Sequence, residues 1–274
     1  MSAPFRLFAS SPVASGRLRG FTLVELSLVL VVTGSLLAMA TRGLTLVDDG
    51  KATQLVLQVR QLESMARDFQ RTRQRWPGDC NGDGLIDAPL SDVGAAGLLQ
   101  NARASRSELF DYATPVPLPF AGGAVTGAVP TSPGMGCPLQ AAEVLIQRGA
   151  VADFNLPFND FKVQGLLGSG QPNRVAATHA GGDFLALVQV KLGAVSATDS
   201  KFNAIVVMNV PIGFAQKLAV SLNGADVESF QGRVRRLNAA GTGFDTRWMG
   251  TGETAETTVN VAYFFDQLPL LQLY

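Results

Sequence analysis

Histidine and cysteine are scarce in this chain of 274 residues, with one of the first and two of the second. A single histidine, His179, leaves almost no room for a Ser–His–Asp or Cys–His centre. No nucleophile-elbow sequence accompanies it, so it reads as a polar loop residue. Two cysteines, Cys80 and Cys137, lack zinc-ligand spacing and are too few for a disulfide framework. Charge is sparse as well. Lys and Arg number 22, Asp and Glu number 22, and no basic stripe suggests nucleic acid. The glycine-rich stretches 165–170 and 241–252 lack the Lys-Ser/Thr of a phosphate loop. Together these absences argue against an enzyme.

What the chain does have is one long apolar run. It opens at Arg19-Gly20-Phe21-Thr22-Leu23-Val24-Glu25-Leu26 and continues to Ala40. Residues 21–41 in a helix rising about 1.5 Å per residue would cover roughly 30 Å, the hydrocarbon thickness of a bilayer. The run holds one acid, Glu25. A carboxylate in a spanning helix costs roughly 2.5–3.5 kcal/mol and points to function. Arg6, Arg17 and Arg19 precede the run and Asp48 and Asp49 follow it, which predicts a cytoplasmic N-terminus. A secretory signal peptide ending at Ala38-Met39-Ala40 is a competing reading, but the run is long for such a segment and carries Glu25. An ordinary single-span anchor is another, and it leaves the Gly-Phe-Thr-Leu junction unexplained.

The junction resembles the prepilin processing site of type IV pilins and type II secretion pseudopilins, carried by Gly20, Phe21, Thr22, Leu23, Glu25 and Leu26. The resemblance implies cleavage between Gly20 and Phe21 by a prepilin peptidase and N-methylation of Phe21. It implies that Glu25 recognises the N-terminus of a neighbouring subunit during assembly. The partners implied are other copies of the chain, other pilins and an inner-membrane assembly platform. The expected location is a single-pass inner-membrane protein with a periplasmic head, which then enters a pilus or pseudopilus. Looser likenesses to larger prepilin-like proteins lie at Pro77-Gly78-Asp79, Gly82-Asp83-Gly84, Val210-Pro211 and Gly232-Arg233-Val234-Arg235.

Beyond residue 43 the periodicity stays helical, with Leu55, Val59, Leu62, Ala66 and Phe69 at intervals of three or four. Trp76-Pro77-Gly78 ends the pattern. Segments 184–191, 204–210 and 259–265 read as strands, and 93–100, 139–148 and 214–222 as helices. Residues 114–138 and 240–254 read as loops, where a binding head would make its contacts. The expected fold is α+β: a leader at 1–20, a long helix over 21–73 whose first half is transmembrane, and a head at 74–274 built on an antiparallel sheet. The function expected is a structural filament subunit. The alternatives are a minor or tip pilin acting as a binding module and a Sec-exported calcium-binding domain.

The segment 79–87 predicts calcium. Asp79, Asn81, Asp83, the Leu85 carbonyl and Asp87 match the alternating oxygens of a calcium loop, with Gly84 at its sixth position. Leu90 stands where such a loop has its closing Glu, and Asp92 would replace it only in a longer loop. A run of Asx turns without metal is the plainer reading. An oxidising compartment would let Cys80 pair with Cys137, closing a loop of roughly 57 residues worth about 4 kcal/mol in the entropic account.

Overall fold

A computed structural model describes residues 22–79, 82–88, 90, 99, 110, 154–168, 170–192, 200–224 and 227–269, without the side chains of 40–42, 44 and 45. The chain divides into two compact units, Met1–Val47 and Asp48–Tyr274. The boundary falls inside the first helix, α1, Leu23–Arg73.

Helix α1 begins at a capping box. The Thr22 hydroxyl accepts the Glu25 backbone N–H at 3.2 Å, and Glu25 Oε2 accepts the Thr22 N–H at 2.9 Å and its hydroxyl at 3.0 Å. The reciprocal bonds satisfy donors that a helix start otherwise leaves open. The helix ends where Gln74 turns into the left-handed region (φ 61°) and bonds back to the Gln70 carbonyl. Trp76-Pro77 then forbids continuation.

In the second unit α1 turns a narrow apolar stripe inward. Ala52, Leu55, Val59, Leu62, Ala66 and Phe69 are all buried, at spacings of three and four. Each large side chain contributes about 1.5–3 kcal/mol by leaving water. They join one core with the sheet and with a group of aromatic rings. Phe110 stacks on Phe184 at 5.1 Å, and Phe161 meets Phe69 edge-on at 6.3 Å.

After α1 come α2 (Leu156–Val163), α3 (Asn173–Ala177), β1 (Leu185–Leu192), β2 (Ser200–Pro211), α4 (Ile212–Asn223), β3 (Val234–Arg236) and β4 (Thr258–Tyr263). The strands form one antiparallel sheet in the order β1-β2-β4-β3. β1 is buried without alternation from Leu185 to Val190, which means that both of its faces are covered. Its outer edge pairs with the segment before it: Leu90 N–H donates to the Gln189 carbonyl and Gln189 N–H to that of Ala88, at 2.9 and 3.0 Å. β2 bulges between Val207 and Val210, where Asn209 has a φ of 47°.

Two arginines anchor β3. Arg235 is buried with its guanidinium 4.9 Å from the Phe244 ring and 5.7 Å from that of Phe264. It donates to the Gly232 and Pro269 carbonyls, and burial lowers its pKa to about 10. Arg236 grips Glu253 through both terminal nitrogens, at 2.6 and 2.7 Å, and its Nε lies 2.8 Å from Asp245. Residues 240–254, expected as a loop, are thus tied to the sheet. Trp248 adds an indole bond to the Val227 carbonyl at 2.9 Å.

Two expectations need correction. Among the described residues no helix is long and apolar enough to cross a membrane. The expected fold with a transmembrane first half, and the single-pass inner-membrane location built on it, therefore do not stand. The physical reason is composition: among residues 23–39, whose side chains are described, the apolar run is diluted by Glu25, Ser27, Thr33 and Ser35. What the structure has is α+β content with a four-stranded antiparallel sheet. Cys80 and Cys137, the expected bridge, lie outside the described residues.

Candidate functional site

Gly20 and Phe21, the expected cleavage and methylation site, lie outside the described residues. The described chain begins one residue later, at the capping box. Glu25 is exposed, and its pKa is lowered, first by the Thr22 backbone N–H and then by the Thr22 hydroxyl. A negative charge in the first turn also faces the positive end of the helix dipole. Glu25 therefore has an intramolecular role that the sequence analysis did not assign. The Thr-x-x-Glu spacing was the signal for it.

The rest of unit 1 whose side chains are described is a largely apolar surface in water. Leu23 is 84 % exposed, Leu37 69 % and Leu46 71 %, and every large apolar residue with a described side chain between them is exposed too. At 100° per residue, Leu28, Val29, Leu30 and Val31 alone point around the whole circumference. The polar side chains among them are turned back onto the helix. Ser27 Oγ donates to the Val24 carbonyl at 2.8 Å, Thr33 Oγ1 to that of Val29 at 2.8 Å, and Ser35 Oγ to that of Val32 at 2.9 Å. These hydroxyls need no water, so drying the segment strands none of the three.

The expected calcium segment is built differently. Of its proposed ligands, Asp79, Asp83, Leu85 and Asp87 are described, and Asn81 and Asp92 lie outside the described residues. Asp79 is buried, and its two carboxylate oxygens accept the N–H groups of Gly82 and Gly84 at 2.7 and 3.1 Å. Asp83 Oδ1 accepts the Leu85 N–H at 2.8 Å. Burial raises the Asp79 pKa; the two amide bonds oppose that, and the charges of Asp83 and Asp87 add to it.

Side chains remote in sequence hold both ends of this segment. Asp160 Oδ2 accepts the Gly78 N–H at 2.8 Å and pairs with Arg75 at 2.7 Å. Gly78 has a φ of +80°, and a Cβ there would lie 2.8 Å from Pro157 Cγ, so only glycine fits the clamp. At the other end Asn203 acts as a strand in miniature. Its Oδ1 accepts the Ile86 N–H at 2.9 Å, and its Nδ2 donates to the Gly84 carbonyl at 2.7 Å and to Asp266 at 3.2 Å.

As a test of fit for a metal, the Asp79 and Asp83 carboxylates are already engaged with backbone amides, and among the described residues no group of three His, Cys, Asp or Glu side chains gathers where an ion would sit. We route no step of the function through calcium. His179 lies elsewhere, buried beside β2. No protein-family model, curated protein or solved structure matches the chain.

Proposed function

We propose that this chain is a subunit of a helical filament of the type IV pilin and pseudopilin kind, assembled by packing the apolar segment of α1 from many copies. One observation carries the reading: residues 23–39 and 46–47 expose large apolar side chains on every side of a helix whose described hydroxyls are internally satisfied. Exposed apolar area of this extent marks an interaction surface. A single partner helix would cover one stripe and leave the rest wet. Several neighbours around each helix cover all of it, which is the arrangement of a filament core. Gly34, with open space where a side chain would stand, permits a close helix contact.

Within this reading Gly20–Phe21 is cut, Phe21 supplies a new ammonium, and Glu25 meets the ammonium of a neighbour once water is excluded. Breaking such a buried pair from one side costs about 3–5 kcal/mol. The capping box refines the test, because Gln at position 25 keeps the cap and removes the charge. N-terminal mass spectrometry of the mature protein should find Phe21 first, with a methyl group. Glu25→Ala and Glu25→Gln should both be processed and both be missing from sheared filaments. Wild-type amounts of Glu25→Gln in the filaments would leave the cap as the whole role of this residue.

A further inference from the structure

His179, the only histidine of the chain, is 2 % exposed in a tight turn between α3 and β1. Its ring is bonded at both nitrogens. Nε2 lies 2.8 Å from the Met208 carbonyl, and Nδ1 lies 3.0 Å from the Gly181 backbone nitrogen. A carbonyl only accepts and a backbone N–H only donates. The ring must therefore carry its proton on Nε2 and offer a lone pair at Nδ1. Only the neutral imidazole satisfies both bonds. A second proton at Nδ1 would face the Gly181 N–H, donor against donor.

The turn cannot easily move aside. A Cβ on Gly181 would stand 2.8 Å from His179 Cε1, which measures how tightly the backbone lies over the ring. The His179 N–H donates to the Asp183 carbonyl, and the Gly182 N–H to that of His179, both at 2.8 Å. The same turn clasps α1: the Ala180 N–H donates to Gln58 Oε1 at 2.9 Å, and Gln58 Nε2 reaches the Thr178 carbonyl at 3.5 Å. It also clasps the β2 bulge, where Asn209 Nδ2 donates to Asp183 Oδ2 at 2.9 Å.

We propose that His179 is an acid-sensitive latch joining the second half of α1 to the sheet. Taking up a proton at Nδ1 breaks the Gly181 bond, opens the turn 178–183 and releases Gln58. The charged group of the turn is Asp183, whose carboxylate accepts the Phe184 N–H at 2.9 Å as well as Asn209. Facing the turn, α1 presents neutral Gln58, and β2 presents the Met208 carbonyl and neutral Asn209. The sign follows from linkage. The closed turn binds the neutral ring, so its stability is complete above the imidazole's free pKa of about 6.5 and is lost as pH falls below it.

The test is backbone hydrogen exchange on the full chain, held monomeric in detergent, between pH 7.5 and 5. A parallel proton NMR titration follows the one imidazole, which needs no assignment because it is unique. Protection factors at Ala180 and Gly181 should fall roughly tenfold per pH unit below about 6.5, while β4 amides keep theirs. His179→Gln, which can still donate to Met208, should remove that slope. If His179→Gln fails to fold, the wild-type titration still decides. An imidazole that titrates near 6.5 with constant protection at Ala180 and Gly181 overturns the latch, as does a slope that survives in His179→Gln.

Discussion

Two stretches of one helix meet water in opposite ways. From residue 48 to 73, α1 is amphipathic: a stripe six residues deep, Ala52 to Phe69, is buried, and Gln54, Gln61 and Arg71 are exposed. From residue 23 to 39 it is apolar all round and exposed all round. The first pattern is complete within one chain. The second is incomplete, because no fold of this chain's described residues covers it. The contrast separates the part of α1 packed within one chain from the part whose apolar side chains the described residues leave exposed. A narrow stripe matches one sheet, and a full circumference calls for several neighbours.

Matched truncations break that comparison most sharply. Phe69→Ala removes a buried ring that touches Phe161 and should lower unfolding stability by about 3–5 kcal/mol in a denaturant titration. Leu30→Ala, on the exposed apolar segment, should change the same titration by less than about 0.5 kcal/mol and instead reduce the yield of filaments. Equal losses from both would mean that unit 1 is already packed within one chain.

Acid titration sharpens the comparison from the side of the sheet. Glu253 is held at a pKa of about 2, first by the Arg236 guanidinium and then by the Gly250 N–H. A depressed carboxyl pKa stabilises the fold above the unfolded value and loses that contribution as pH falls toward about 2. Thermal melts of the wild type should therefore drop steeply between about pH 4.5 and 2, and Arg236→Met should flatten that limb while leaving the apolar segment's filament yield unchanged at neutral pH.

The smallest expected effect is ionic. Asp79, Asp83 and Asp87 repel one another within one short segment. Because the Asp79 and Asp83 carboxylates are engaged with backbone amides and no group of three ligating side chains gathers among the described residues, melting curves in millimolar calcium and in chelator should superimpose at pH 7. A rise of a few degrees in calcium, lost in Asp79→Asn, would show that an ion displaces those amides.

The elements legible in advance were those whose signal is local. The three-and-four spacing of Leu55, Val59, Leu62, Ala66 and Phe69 marks the buried face of α1, and β-branched runs mark β1, β2 and β4. Helix α2 went unread because it is short, aromatic and without a side-chain cap, and its signal is a lone Pro157 in the first turn. The expected segments 93–100 and 139–148 fall outside the described residues, apart from Leu99. Glu25 shows the opposite failing. Its capping partner stands three residues away, yet the rarity of an acid in an apolar run drew attention first.

By itself the sequence determined the apolar circumference of residues 23–39, the register of the stripe after residue 48, and the glycines on which the turn at 78–84 depends. These follow from composition and from spacings of a few residues, which helix and turn geometry read directly. Only the tertiary structure decided what holds the acidic segment, because Asn203 and Asp160 reach it from 119 and 82 residues away. It alone decided that His179, a polar loop residue, is buried and bonded at both ring nitrogens. A hydrogen bond is set by distance in space, and chain separation carries no information about it until the sheet has formed.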